Sequence, residues 1–310
     1  MAWAKPTTIA RHDYMTMRAR CGHLELAQCR AYFSQMSRYS IVLGMLAALI
    51  PAGCAWLGAD KPLETPVSPA AGTEITEHRL TLTDGPALDY RLYEPARQTG
   101  KALSTGAEGN DHNTTMPLVV LAHGFLRNQR NMSGLATALA NAGYPVATLD
   151  SRHDSPISGG HVQNSQDMIA LARHLKANRV IYAGFSAGAL AALLAAHDDP
   201  RAIGVLTLDL VDSQELGLGV APELKLPVVA LAGAPTNCNA NNNAAALYQA
   251  IDNLRLTPIP KASHCDFESP TDWLCRTVCE MPAERTHADP SVQLEIINAA
   301  LAGVGQLARR

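Results

Sequence analysis

The sequence of 310 residues has little charge. Asp, Glu, Lys and Arg make up 17% of it, where about 25% is usual, and they nearly cancel to a net charge of −3. Neither a basic stripe nor an acidic block is present, so nucleic acid is not an expected partner. Internal repeats, heptads and a phosphate-binding glycine loop are also missing. Their absence removes solenoids, coiled coils and phosphate-cradling loops from consideration. The apolar run Ile41 to Ile50 falls short of the roughly 18 residues that a membrane-spanning helix needs. It has the length of a signal-peptide core, and Arg38 supplies the positive flank. Nothing in the sequence calls for a cofactor or a metal ion.

That apolar run ends Ile50-Pro51-Ala52-Gly53-Cys54. Ala-Gly-Cys after an apolar core resembles a bacterial lipobox, which implies lipidation at Cys54 and a membrane tether. The alternative is ordinary cleavage near Ala55, giving a soluble exported protein. Met36 would start a compact signal peptide of its own, with residues 1–35 then a start-site extension. Residues 55–73 are rich in Ala, Pro and Thr and read as a linker. The expected organisation is therefore an N-terminal extension and signal segment over 1–54, a linker over 55–73 and one folded domain over 74–310. The expected location is bacterial and exported, either periplasmic or anchored to a membrane.

Cys238, Cys265, Cys275 and Cys279 fall late in the chain. Four cysteines in an exported domain suggest two disulfides, for which three pairings exist. Four free thiols are the alternative, and zinc coordination is a weaker one. Cys275 and Cys279 stand four apart on an expected helix and share a face. A bond between them would strain that helix, so pairings that join Cys238 or Cys265 to this pair are favoured.

The core pattern begins with a strand over Glu74 to Leu82, a turn at Asp84-Gly85 and a partner strand over Ala87 to Tyr93. Residues 96–116 are polar and read as a surface loop. Continuous apolar runs follow at Leu118–Ala122, Val146–Leu149, Val180–Ala183, Val205–Leu208 and Val228–Ala232, and a last strand is expected over Leu254 to Pro260. Helical stretches lie near 131–142, 164–177 and 187–197. Apolar strands alternating with such helices mean a parallel sheet covered on both faces.

The most informative stretch is Val180-Ile181-Tyr182-Ala183-Gly184-Phe185-Ser186-Ala187-Gly188. A strand runs into Gly-x-Ser-x-Gly and then into an Ala/Leu-rich helix. Such a serine sits on a turn too tight for side chains at the flanking glycines. Its hydroxyl is exposed, and the Ala187 N–H at the helix start can bind an oxyanion.

With its leading antiparallel hairpin, this pattern resembles the α/β-hydrolase fold over residues 75–305. The resemblance implies a mostly parallel sheet with helices on both faces and a Ser-His-acid triad in chain order. It makes Ser186 the nucleophile and gives the second oxyanion N–H to Phe125, after the strand that ends Ala122-His123-Gly124. His123 is expected to position this loop rather than act as base. His264, in the loop after the last strand, is the expected base. The acid is the unusual member. The loop Gly233 to Asn239 after the seventh strand holds no carboxylate, whereas the sixth strand ends Leu206-Thr207-Leu208-Asp209-Leu210-Val211-Asp212. That run resembles chlorophyllases, pancreatic-type lipases and plasma-type platelet-activating-factor acetylhydrolases, and it points to Asp209. Asp212 and Asp266 are the other candidates. Asp212 is expected to bond loop N–H groups or cap a short helix at Gln214-Glu215.

The resulting expectation is an exported serine hydrolase cleaving small-molecule or polymeric carboxylic esters through an acyl-enzyme. Residues 213–226 are too few for a lid domain, and residues 153–163 are expected to form a loop bordering the site. The alternatives are an acyltransferase or peptidase on the same triad, or an inactive α/β-hydrolase acting as a binding protein.

Overall fold

A computed structural model describes residues 67–82, 85–96, 116–153, 159–279 and 289–310. The signal segment, Cys54, most of the linker and most of the 96–116 loop lie outside these residues. So do Asp84 of the expected turn and His287.

The first half runs β1 (Glu74–Leu80), β2 (Leu88–Glu94), β3 (Leu118–Ala122), α1 (Ser133–Asn141), β4 (Val146–Leu149), α2 (His161–His174), β5 (Val180–Phe185) and α3 (Ala187–Asp198). It continues with β6 (Ala202–Leu208), α4 (Leu216–Val220), β7 (Val228–Ala232), α5 (Ala245–Gln249), β8 (Leu254–Pro258), α6 (Trp273–Cys279) and α7 (Pro290–Ala308). The eight strands form one sheet in the order β1-β2-β4-β3-β5-β6-β7-β8. β2 pairs antiparallel with β1 and β4, and every pairing from β4 to β8 is parallel.

Strand periodicity splits the core into two layers. Val180 and Tyr182 of β5 face α2, α3 and α5, whereas Ile181, Ala183 and Phe185 face α1 and α7. The stretch Ala189 to Ala196 of α3 is buried all round. A helix apolar on every side belongs in such a place. Among the described residues, no helix is long and apolar enough to cross a membrane.

Two expectations need correction. The expected helix over 164–177 spans His161–His174, so residues 161–163 belong to α2 and not to a loop. Gly160 sets that start. It has φ +64, and a β-carbon there would lie 1.8 Å from the His153 carbonyl oxygen. Only glycine permits such a turn, and the helix begins at once after it. β6 also starts earlier than its apolar run, at Ala202, because Ala202 and Gly204 already pair with β5.

Both late disulfides end on α6: Cys238–Cys279 closes 41 residues and Cys265–Cys275 closes 10. Chain-entropy arguments give about 4 kcal/mol for the longer loop and about 3 kcal/mol for the shorter. Replacing Cys238 and Cys279 together with serine should therefore lower unfolding stability more than replacing Cys265 and Cys275. Denaturant titration of the two double variants checks the order, and equal midpoints would contradict it.

Candidate active site

Ser186 ends β5 and opens α3. Its backbone has φ 54 and ψ −118, a conformation that costs a non-glycine residue of order 1–3 kcal/mol and persists only where the surroundings enforce it. Here close backbone packing enforces it. A β-carbon at Gly184 would lie 2.2 Å from the Gly188 carbonyl oxygen, and one at Gly188 would lie 2.2 Å from the His123 carbonyl oxygen. The turn therefore presses against the end of β3.

His264 stands in a short 3₁₀ turn, His264–Phe267, after β8. Its Nε2 is 3.0 Å from Ser186 Oγ, and its Nδ1 is 2.6 Å from Asp209 Oδ2. All three residues are buried. With Nδ1–H donating to the carboxylate, Nε2 is left to accept the serine proton. The Phe185 ring packs on the imidazole with centroids 4.7 Å apart.

Asp209 follows β6 with a positive φ of 44. Besides His264, its Oδ1 accepts the Gly233 N–H at 2.9 Å, and its Oδ2 accepts the Asn239 amide at 3.1 Å. Asn239 is fully buried. Its Oδ1 takes the Thr236 and Asn242 N–H groups, which turns its NH₂ toward Asp209 and the Ala234 carbonyl. Sequence reasoning missed Asn239. The signal was available: an Asn-rich loop follows the strand that runs beside the one leading into Asp209.

The other two carboxylates are engaged elsewhere. Asp212 accepts the N–H groups of Gly217 and Leu218 at 2.8 and 3.0 Å at the start of α4. Burial pushes its carboxyl up, opposed by those two N–H groups. Asp266 bonds the Ser263 N–H and hydroxyl and pairs with Arg276 at 2.9 Å.

The loop after β3 is held from behind. His123 Nε2 accepts the Ser151 N–H at 2.9 Å, so the ring proton sits on Nδ1 and is donated to the Gly124 carbonyl at 2.7 Å. The Arg127 N–H reaches the same carbonyl at 3.2 Å. In a trans peptide the Phe125 N–H points opposite to this carbonyl. The first N–H groups of α3, beginning with Ala187, have no partner inside their helix. Farther out, the Arg127 guanidinium makes a bidentate pair with Glu268 at 2.6 and 2.7 Å, joining the β3 loop to the His264 turn. Burial pushes the Glu268 carboxyl up, and Arg127 pulls against it. His161 is buried in the same region; burial pushes its ring pKa down, against the pull of the Ala187 backbone and Asp212.

An apolar cavity of about 350 Å³ opens beside Ser186 and His264 and reaches Leu274 and Val278 of α6. A larger polar groove of about 630 Å³ lies elsewhere, against β1 and β2. Among the described residues, Cys265, Cys275 and Cys279 make a sulfur cluster of metal-binding size. Their sulfurs are taken up in the two disulfides and do not fit a thiolate site.

No protein-family model matches the sequence, and no curated protein matches it significantly. Solved structures do match. A ferulic acid esterase from Streptomyces cinnamoneus aligns with a TM-score of 0.56 at 16% identity, covering 79% of this chain and 93% of its own. The esterase domain of a Rhodothermus marinus protein gives 0.52 at 16%, with 76% and 99% covered. Est1E from Butyrivibrio proteoclasticus gives 0.51 at 14%, with 76% and 99% covered. The fold is the α/β-hydrolase fold. Within it Ser186 occupies the C-terminal end of β5, where the strand order turns back on itself and where ligands collect in open α/β sheets.

The close contact at Gly188 makes a prediction. Gly188→Ala must move either the His123 carbonyl or the helix start, at a cost of about 1–3 kcal/mol or more. Thermal unfolding should show a clear loss of stability. A midpoint within a degree of wild type would mean that the turn does not press on β3 as described.

Proposed function

We propose that this protein is a serine hydrolase of carboxylic esters. The observation that carries the reading is the unbroken chain Ser186 Oγ, His264, Asp209, at 3.0 and 2.6 Å. A serine hydroxyl is a weak nucleophile until an adjacent base takes its proton. His264 Nε2 takes it as Oγ attacks the ester carbonyl and later returns it to the departing alcohol. Asp209 holds the imidazole in the required tautomer and stabilises the imidazolium. The Phe125 and Ala187 N–H groups receive the oxyanion, each contributing about 3 kcal/mol to the transition state. Water then cleaves the acyl-enzyme by the same steps. Asn239 acts through Asp209 as a positioning residue. The esterases and hydrolases named among the structural neighbours support the reaction class.

We also infer a kinship with chlorophyllases and acetylhydrolases of platelet-activating factor, through the acid placed after β6. The hydrolase domain is taken as 74–310, carried on a 55–73 linker behind a signal segment over 1–54. Export to the periplasm, with Cys54 as a lipid anchor, fits a chain whose late cysteines are paired in two disulfides. Alkyne-fatty-acid labelling in cells should mark wild type and spare Cys54→Ser; equal labelling of both would remove the anchor.

Steady-state hydrolysis of p-nitrophenyl butanoate tests the catalytic assignment. Ser186→Ala should leave no measurable turnover with the fold retained by circular dichroism. Asp209→Asn should lower kcat by about 10⁴ through the wrong histidine tautomer. Asn239→Ala should lower kcat about tenfold with little change in KM. Asp212→Asn should cost only a modest factor through α4. If Asp212→Asn is the crippled variant and Asp209→Asn is not, the acid has been misassigned.

A further inference from the structure

The cavity beside Ser186 carries more than the reaction class. Its walls are the side chains of Phe125, Leu126 and Phe185 on the body and Leu274 and Val278 on α6, with the Cys238–Cys279 bridge between them. Leu274 and Val278 stand four apart, so they project from one face of α6. Cys275 and Cys279, also four apart, take the neighbouring face and are bonded to Cys265 and Cys238. Cys265 directly follows His264, and Cys238 directly precedes Asn239. The helix is thereby bolted to the two loops that carry the base and the partner of the acid. It is a fixed wall, not a lid.

The wall is apolar toward solvent too. Val278 is 63% exposed, Leu274 45% and Leu126 65%. Large apolar side chains clustered at the mouth of a site mark a surface that binds apolar groups. The charged side chains on the cavity are already committed. Arg127 is held by Glu268 at 2.6 Å and by Asp272 at 2.8 Å. Among the described residues that line the cavity, a carboxylate on the substrate would find no cation but the paired Arg127 and would lose its hydration.

We propose, resting on the esterase reading, that this cavity is the acyl subsite. We propose further that Leu274 and Val278 on the doubly disulfide-bonded α6 select neutral, apolar acyl groups of medium length and reject anionic ones. A methylene fills roughly the volume of a water molecule, ~30 Å³. A cavity of about 350 Å³ then holds about twelve carbons at most, and a chain of about six to ten where its open mouth keeps some water. Each methylene buried gains up to about fourfold in binding.

Two measurements test this. The first is kcat/KM for p-nitrophenyl esters from acetate to palmitate, together with the mono-p-nitrophenyl ester of adipate, which is hexanoate with a terminal carboxylate. The expected profile rises at least tenfold from acetate, peaks between hexanoate and decanoate and falls by palmitate. Adipate should run at least a hundredfold below hexanoate. Leu274→Asp and Val278→Asp should each lower the hexanoate-to-acetate ratio at least tenfold, mainly through KM. Val278 is largely exposed, so its variant keeps the test valid if Leu274→Asp fails to fold. A flat profile, adipate equal to hexanoate, or an unchanged ratio in the Val278 variant overturns the proposal. The second is binding of methyl hexanoate and monomethyl adipate to Ser186→Ala, by saturation-transfer NMR. The hexanoate should bind, the adipate should not, and adding Val278→Asp should abolish the hexanoate signal. If wild type cleaves no ester, the esterase reading fails, and this binding still decides the subsite. Absence of hexanoate binding overturns the subsite whatever the enzyme cleaves.

Discussion

Asp209 Oδ2 lies 2.6 Å from His264 Nδ1, and much of the surrounding structure serves to keep it there. The carboxylate follows the strand beside β5, which leads into Ser186, and the histidine comes from a turn two strands farther along the sheet. A backbone with positive φ at Asp209 directs the side chain across that gap. The Gly233 N–H and the Asn239 amide then fix it from the β7 side. A carboxylate with three donors around it has little freedom to turn, so the imidazole it faces is held in one tautomer.

The same economy extends outward. The loop that would carry the second oxyanion donor is held by His123 from behind and by the Arg127–Glu268 pair from the side. Glu268 belongs to the segment after the His264 turn, whose Ser269 backbone exchanges hydrogen bonds with Asn131 and Gly134 at the start of α1. The disulfides add a covalent layer, each starting beside a residue of the hydrogen-bond chain and each ending on α6. Buried groups in such a network are satisfied only together, so movement of one loop is opposed by the others.

Much of this was legible in the sequence. The apolar runs gave β3, β4, β5 and β7 to within two residues, because parallel strands covered on both faces are built mostly of apolar side chains. The turn at Ser186 was legible because a strand-to-helix turn this tight needs glycine on both sides. Asp209 and His264 followed from their places after strands. What remained hidden depended on backbone conformation and on contacts between distant loops. Gly160 set the start of α2 through a close approach to His153 that no local pattern encodes. Asn239 looked like one polar residue among several, and its role exists only because Asp209 lies opposite. The pairing of the cysteines followed from where α6 sits, since helical spacing alone left two pairings open.

The claim that Ser186 is the activated nucleophile is tested most directly by active-site labelling. The intact protein is treated with a fluorophosphonate probe, and the adduct is mapped by peptide mass spectrometry in wild type and in His264→Ala. The account predicts one adduct, on Ser186, formed rapidly in wild type and slowed by several orders of magnitude when His264 is removed. An adduct on another serine, or equal labelling of Ser186 in both proteins, would contradict it.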